Sequence, residues 1–170
     1  MQSPNVIYYI LKKTQIKHLL FLMKPIFCTL LFLFLTGQLF AQTKQDSLAI
    51  KQAALDYIES QHIPNPAQME RALHPRMVKR TFWKDKATGK DYVRETTTES
   101  MVLLAESYNK NGDKFPSKPR KEVKLLDASE RTASVKLIAD EWIDYMHLTK
   151  LNGSWKIINV LWQYNDTQQH

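Results

Sequence analysis

Alternating apolar and polar residues dominate the last third of the chain. Two runs, Trp142 to Leu151 and Ser154 to Trp162, are rich in β-branched and aromatic residues, which is typical of β-strands. Asn152 and Gly153 lie between them, and this pair favours a type I′ turn because both central residues of that turn need positive φ. The pattern therefore predicts a long antiparallel hairpin with Asn152-Gly153 at its tip.

A two-residue turn also fixes the pairing of the strands that it joins. The predicted partners are Leu151 with Ser154, Lys150 with Trp155, Leu148 with Ile157, Met146 with Asn159 and Asp144 with Leu161. Because side chains alternate along a strand, each strand contributes to two faces. One face is predicted to carry Trp142, Asp144, Met146, Leu148, Trp155, Ile157, Asn159 and Leu161, and the other Ile143, Tyr145, His147, Thr149, Ile158, Val160 and Trp162. Both faces are largely apolar, so we expect something to cover each of them.

Upstream, apolar residues recur at helical spacing. A first helix is predicted from Asp46 to the Ile63-Pro64 pair, with its apolar stripe at Ile50, Ala54, Tyr57 and Ile58. A short second helix is predicted with Asn65 as N-cap and Pro66 at its first position. The capping box Thr96-x-x-Glu99 predicts a third helix, whose apolar side carries Met101, Leu104, Ala105 and Tyr108.

Four further strands complete the predicted elements. They are Met77 to Trp83, Tyr92 to Glu95, Val123 to Leu126 and Ala133 to Ala139. Amphipathic helices need a sheet face to pack against, and the long terminal strands provide one. We therefore predict an α+β domain over residues 46–165, in which a strongly bent antiparallel sheet wraps over the N-terminal helices.

The first 41 residues are predicted to be a signal peptide rather than part of the fold. Lys24 precedes a ten-residue apolar run from Ile26 to Leu35, and Ala41 provides a small residue at the cleavage position. We interpret Met23 as the true translation start, so that the residues before it are an N-terminal extension that is not translated. The apolar run is shorter than the roughly 20 residues that span a bilayer, although an uncleaved anchor from Leu19 to Leu35 is the alternative. We therefore expect an exported protein, periplasmic or secreted, without a stable membrane span after cleavage.

Composition excludes several kinds of site. The single cysteine, Cys28, lies in the predicted signal peptide, so a mature chain has no disulfide and no cysteine ligand. Four of the 24 basic residues and none of the 17 acidic residues precede residue 42, which leaves a small positive charge that does not indicate nucleic acid. The histidines lack metal-ligand spacing and no glycine-rich phosphate loop is present, so no metal and no cofactor are predicted. The basic residues Arg76, Lys79, Arg80, Lys84 and Lys86 near Phe82 and Trp83 are interpreted as a solvated strand edge.

Three stretches resemble a known family. They are Ala54 to Ile58, Ala72 to Arg80 and the hairpin Trp142 to Trp162, and they resemble the putative lumazine-binding family of the nuclear transport factor 2-like superfamily. The resemblance extends over about Ser47 to Trp162. It implies a cone of bent sheet and helices around a pocket, often in a homodimer formed through the outer sheet face. Relatives include ketosteroid isomerase, scytalone dehydratase and polyketide cyclases of the SnoaL type, besides non-catalytic binding domains, so the resemblance leaves the function open.

Asp144 is the predicted centre of a pocket on the hairpin. A carboxylate among Trp142, Met146 and Leu161 is desolvated, which raises its pKa and suits a general base, and Tyr57 is positioned on the first helix to donate a hydrogen bond to a substrate oxygen. The alternative is that Asp144 pairs with Lys150 or Arg80, or lies at the sheet edge, and that Tyr57 belongs to the core. The predicted ligand contacts are Trp83, Tyr108, Trp142, Met146 and Asn159.

Three functional hypotheses follow. The first is an exported, non-catalytic domain that binds a small, partly apolar molecule. The second is a cofactor-free isomerase, dehydratase or cyclase that uses Asp144 as base and Tyr57 as hydrogen-bond donor. The third is a homodimeric adaptor whose interacting face carries Tyr145, His147 and Trp162.

Overall fold

The computed structural model describes residues 44–166, and the predicted signal peptide lies outside these residues. Three helices and six strands occupy the described part of the chain. The helices are α1 (residues 44–62), α2 (Pro66–Ala72) and α3 (Thr98–Ser107). The strands are β1 (Leu73–Lys84), β2 (Asp91–Thr97), β3 (Lys121–Ala128), β4 (Thr132–Ala139), β5 (Trp142–Leu151) and β6 (Ser154–Tyr164). None of the helices within residues 44–166 is both long and apolar enough to cross a bilayer.

Local sequence signals explain where the helices begin. Asn65 caps α2 by accepting a hydrogen bond from the backbone N–H of Gln68, and Pro66 occupies the first helical position, as predicted. The cap of α3 is Thr97, which accepts from the backbone N–H of Ser100, so the predicted cap at Thr96 is wrong by one residue. Strand β2 extends to Thr97 because its pairing with β1 continues to that residue.

The six strands form one curved sheet in the order β2-β1-β6-β5-β4-β3. All neighbouring strands are antiparallel except β1 and β6, which run parallel. The helices pack on the inner face of this sheet, where their apolar stripes join the strands in one hydrophobic cluster. The predicted α+β class with a bent sheet over helices is therefore confirmed.

The hairpin between β5 and β6 has the predicted turn but not the whole predicted register. Asn152 and Gly153 both have positive φ, 49° and 80°, and the pairs from Leu151–Ser154 to Leu148–Ile157 are those predicted. A β-bulge then inserts one extra residue into β6. Beyond it the partners are His147 with Asn159, Met146 with Val160, Tyr145 with Leu161 and Asp144 with Trp162. The predicted pairs of Met146 with Asn159 and of Asp144 with Leu161 are wrong.

The bulge exchanges the two faces along the second half of β6. Val160 and Trp162 point inward and pack in or against the core, whereas Asn159 and Leu161 lie on the outer face. On β5 the alternation is as predicted, and Asp144 and Trp155 are both buried on the inner side. Trp162 is therefore not part of the outer face on which the adaptor hypothesis placed it.

Apolar side chains remain exposed on the outer face of the sheet. Tyr145, Ile158 and Leu161 are each at least 40% exposed. No helix within residues 44–166 covers them, because α1, α2 and α3 contribute to the inner cluster. Within the described residues, the prediction that both faces are covered therefore holds for the inner face and not for the outer face.

Candidate functional site

A cavity of about 470 Å³ lies at one end of the sheet, between the inner face of the strands and helix α3. Its lining side chains come from α1, α3 and four strand segments, and most are aromatic or polar. They are Gln61, Lys79, Thr81, Trp83, Arg94, Glu95, Thr96, Ser100, Met101, Leu104, Tyr108, Trp142, Trp162 and Tyr164. This volume and mixture are usual for sites that hold a small molecule.

Strand alternation brings β1 side chains into this cavity. Met77, Lys79 and Thr81 are buried on the inner face of β1 and Trp83 is half-buried, whereas the intervening Arg80 belongs to the outer face. Lys79 was expected at a solvated edge, and that interpretation is wrong: the residue is only 7% exposed. The signal that could have revealed it is its position in step with Met77, Thr81 and Trp83.

Lys79 joins the two residues that the sequence singled out for catalysis. Its Nζ donates a hydrogen bond of 2.6 Å to the Tyr57 hydroxyl and forms an ion pair of 3.2 Å with Asp144 Oδ1. Asp144 and Tyr57 are both fully buried. Neither residue lines the cavity, so Lys79 is the group through which this cluster reaches it.

Aromatic rings surround the Lys79 amine. Nζ lies 4.8 Å from the ring centroid of Trp162, 5.3 Å from that of Tyr57 and 6.0 Å from that of Trp142. Rings at such distances attract a cation through their negative faces, most strongly where water is excluded. The rings therefore offset part of the loss of hydration that burial imposes on the ammonium group.

Burial also controls the protonation of the cluster. It raises the pKa of the Asp144 carboxyl above its ordinary value, a rise that the nearby Lys79 ammonium opposes. Burial lowers the pKa of the Lys79 amine, and here the Asp144 carboxylate opposes the change. Burial together with Asp144 raises the pKa of Tyr57 well above its ordinary value, so its hydroxyl stays protonated.

Two buried polar groups beside Lys79 make contacts that fall short of good hydrogen-bond geometry. Within residues 44–166, neither Asp144 carboxylate oxygen accepts a hydrogen bond of good geometry, and Trp142 Nε1 donates none. Buried polar atoms in folded proteins are nearly always hydrogen-bonded, to protein, water or ligand. Of these two residues only Trp142 lines the cavity, so its N–H is the group that a bound molecule could reach.

The remaining predicted site residues divide into two groups. Trp83, Tyr108 and Trp142 line the cavity together. Met146 is buried in the hydrophobic core and does not line it. Asn159 is displaced by the bulge to the outer face, where it accepts a hydrogen bond from Arg80 and contacts His147, so its predicted place beside Asp144 is wrong.

Neither of the predicted alternative partners of Asp144 contacts it. Lys150 forms an ion pair with Asp46, and Arg80 pairs with Glu95. The predicted neutralisation of Asp144 by a basic residue does occur, but through Lys79, one strand position away from Arg80.

A second cleft, of about 700 Å³, lies elsewhere in the domain. The end of α1, the start of α2 and the connection after α3 form it, and none of the predicted site residues contributes. His62 packs edge-on against Phe115 there, and burial lowers the pKa of its imidazole. Within residues 44–166, no three His, Cys, Asp or Glu side chains lie close enough to hold a metal ion.

Solved structures share this architecture at low sequence identity. A nuclear transport factor 2-like protein of unknown function from Silicibacter pomeroyi DSS-3 superposes with a TM-score of 0.56 at 12% identity, covering 72% of this chain and 98% of its own. A similar protein of unknown function from Shewanella baltica OS155 gives a TM-score of 0.54 at 16% identity, covering 71% and 94%. These likenesses show the fold alone.

Sequence comparison is more specific about the family than about function. No curated protein matches the chain. The family model described as putative lumazine-binding matches residues 45–163, which includes all the helices and strands described above except the first and last residues. The chain therefore belongs to the putative lumazine-binding family, within the nuclear transport factor 2-like fold.

Proposed function

We propose that this domain binds a small, flat, partly apolar molecule in the cavity beside Lys79, and that Asp144 does not abstract a proton from the bound molecule. The observation that carries the proposal is the position of the Lys79 amine between Tyr57 and Asp144. A general base must reach the proton that it removes, directly or through one water. Here Asp144 is fully buried, does not line the cavity and is paired with the Lys79 ammonium.

The cavity lining supports a flat ligand. Three of the chain's four tryptophans, Trp83, Trp142 and Trp162, line it together with Tyr108 and Tyr164. Aromatic side chains offer large, rigid contact surfaces for a planar molecule at a small loss of side-chain entropy.

The charges at the cavity favour a ligand with an acceptor oxygen. An ammonium group has three N–H donors, and the two protein partners of Lys79 leave one for a bound molecule. Arg94, whose guanidinium lies 5.0 Å from the ring centroid of Trp83, adds a second positive group to the lining. A carbonyl or carboxylate oxygen would therefore be held near Lys79.

A binding measurement with a matched pair of variants tests this function. Piperonyl alcohol is a suitable probe because it is flat, bicyclic and partly polar, and calorimetry measures its affinity. We expect Trp83→Ala to weaken binding roughly fivefold, since one aromatic contact contributes about 1 kcal/mol. The control is Phe82→Ala on the same strand, because Phe82 does not line the cavity. Equal effects of the two substitutions, or no binding by the unchanged protein, would contradict the proposal.

The natural ligand requires a different experiment. Native mass spectrometry of the protein purified from the organism that encodes it should show a retained small molecule, released on unfolding. The same preparation tests export, which we also propose from the apolar run before Ala41. An exported and processed chain begins at Gln42, and an intact leader in the native protein would contradict that.

Homodimer formation is proposed from the outer face. Tyr145, Ile158 and Leu161 are exposed apolar residues of the neighbouring strands β5 and β6, and exposed apolar patches are typical of protein–protein contacts. We expect Leu161→Glu to shift a dimer towards monomer in sedimentation experiments. An unchanged sedimentation coefficient would argue against this face as the interface.

A further inference from the structure

We propose that the Lys79 amine forms a reversible imine with a small aromatic aldehyde or ketone, so that the cavity takes carbonyl compounds and holds them covalently. The inference rests on the proposed function, since the carbonyl compound must first enter the cavity. It goes further by assigning a bond-forming role to Lys79 and a chemical class to the ligand.

The placement of Lys79 is the first argument. It is the only lysine among residues 44–166 that is buried, yet its side chain lines a cavity. An amine buried among the rings of Tyr57, Trp142 and Trp162 is desolvated, which is how proteins make a lysine nucleophilic. Surface lysines such as Lys84, whose side chain is 55% exposed, lack this environment.

A proton acceptor lies beside the amine. Imine formation needs the neutral amine, so the ammonium must lose a proton before it attacks. Asp144 Oδ1 is 3.2 Å from Nζ, and burial favours the neutral carboxylic acid and the neutral amine over the two ions. The Asp144 carboxylate is therefore within reach to take the proton that Lys79 must lose.

The reaction balances within this cluster. The neutral amine adds to the carbonyl carbon, which forms a C–N bond and gives a carbinolamine after proton transfer from nitrogen to oxygen. The Asp144 acid then protonates the carbinolamine hydroxyl, the C–O bond breaks, and water leaves. The product is a protonated imine, which keeps the single positive charge that Lys79 carried and remains paired with the Asp144 carboxylate. No oxidant or reductant is consumed.

The neighbouring groups suit the oxygen that reacts. Tyr57 stays protonated and holds Nζ at 2.6 Å, which fixes the direction of the amine. Trp142 Nε1 and the Asp144 oxygens are buried without hydrogen-bond partners of good geometry among the described residues. These groups can donate to and accept from the carbinolamine hydroxyl and the departing water.

Trapping with a hydride donor tests the proposal on the full chain. The protein is incubated with piperonal and sodium cyanoborohydride, which reduces an imine to a stable secondary amine, and the modified lysines are located by peptide mass spectrometry. We expect Lys79 to be labelled roughly tenfold faster than exposed Lys84, since the cavity holds the aldehyde beside the Lys79 amine and so raises its effective concentration there. Piperonyl alcohol, which lacks the carbonyl group, should slow labelling of Lys79 and leave that of Lys84 unchanged.

Two variants control for the fold. Lys79→Arg keeps a cation beside Asp144 but cannot form an imine, and the double variant Lys79→Met with Asp144→Leu replaces the ion pair by apolar groups. Both should lose the fast-labelling site, and whichever variant retains the circular dichroism spectrum of the unchanged protein serves as the control. Fast labelling that persists at another residue in that variant would overturn the assignment to Lys79.

The outcomes separate the two proposals. If piperonyl alcohol binds but Lys79 is labelled no faster than Lys84, the imine is wrong and the binding function stands. If the alcohol does not bind and Lys79 is not labelled, the binding proposal fails and the imine fails with it. Fast labelling of Lys79 that the alcohol suppresses supports both.

Discussion

Two Asp–Lys pairs in this domain have the same chemical groups and opposite properties. Asp46, in the first turns of α1, pairs with Lys150 at 2.6 Å and also accepts a hydrogen bond from Trp155 Nε1. Asp144 pairs with Lys79 at 3.2 Å. Both side chains of the first pair are 20% exposed, whereas those of Asp144 and Lys79 are 0% and 9% exposed.

Burial accounts for the difference. The hydrogen bonds from Lys150 and Trp155 lower the pKa of Asp46, because partial hydration leaves little penalty for the charged form. Desolvation raises the pKa of Asp144 in spite of its positive partner. The first pair therefore connects α1 to the β5–β6 hairpin, whereas burial brings the pKa values of Asp144 and Lys79 in the second pair closer together.

The largest effect is expected when the buried pair is broken. Lys79→Met leaves the Asp144 carboxylate without its partner, so we expect a loss of about 3–5 kcal/mol in the free energy of unfolding at neutral pH. The double variant with Asp144→Leu should recover most of this loss, because apolar groups can replace a buried ion pair. Urea denaturation measures both. If the double variant is no more stable than Lys79→Met, the unpaired Asp144 carboxylate does not cause the loss of stability.

Acid should partly rescue the single variant. In Lys79→Met the folded Asp144 has lost the group that opposes the rise of its pKa above 3.8, so the folded state takes up a proton more readily than the unfolded state. The stability deficit relative to the unchanged protein should shrink as the pH falls through the range between 3.8 and the raised pKa. If the deficit instead grows as the pH falls through this range, the loss of Lys79 does not raise the pKa of Asp144 in the folded state.

Breaking the partly exposed pair of Asp46 and Lys150 should have a smaller effect of opposite pH dependence. Asp46→Asn weakens the contacts with Lys150 and Trp155, and we expect a loss of about 1 kcal/mol at neutral pH. Because the pKa of Asp46 is lowered on folding, this stabilisation is present above 3.8 and is lost as the pH falls through the folded value. The free energies of unfolding of Asp46→Asn and of the unchanged protein, measured by denaturation at several pH values, should converge in acid. A difference that grows in acid would contradict a lowered pKa of Asp46 in the folded state.

The smallest effect is expected at a third pair, between Lys84 and Asp91. These residues lie 2.8 Å apart, but their side chains are 55% and 65% exposed. Asp91→Asn should therefore change the free energy of unfolding by less than about 0.5 kcal/mol, and less still in high salt. A loss as large as that of Asp46→Asn would mean that solvent exposure does not determine how much each of the three pairs contributes to stability.

Short-range sequence patterns were sufficient to predict most of the fold. The stripe on α1, the Asn65 cap and the Asn152-Gly153 turn each depend on neighbouring residues, and the structure confirms them. The bulge in β6 depends instead on the curvature of the whole sheet, which no short stretch encodes. Asn159 and Trp162 were placed on the wrong faces for that reason.

The site was predictable in part. Burial of Asp144 was predicted from Trp142 and Met146 beside it on the strand, and both residues are buried with it. Lys79 was missed because a lysine in a strand ordinarily reaches solvent, and its partners come from helix α1 and strand β5, which are distant in sequence. Its pairing required the tertiary structure.

A carbon-detected NMR titration of the aspartate carboxyl groups tests the central claim most directly, because one sample reports Asp144 and Asp46 together. The account predicts that Asp46 titrates below 3.8 and Asp144 above it, with the Lys79 side-chain signals changing as Asp144 takes up its proton. If Asp144 titrates at or below 3.8 while the Lys79 signals remain unchanged, Lys79 and Asp144 do not form the coupled buried pair on which the proposed chemistry depends.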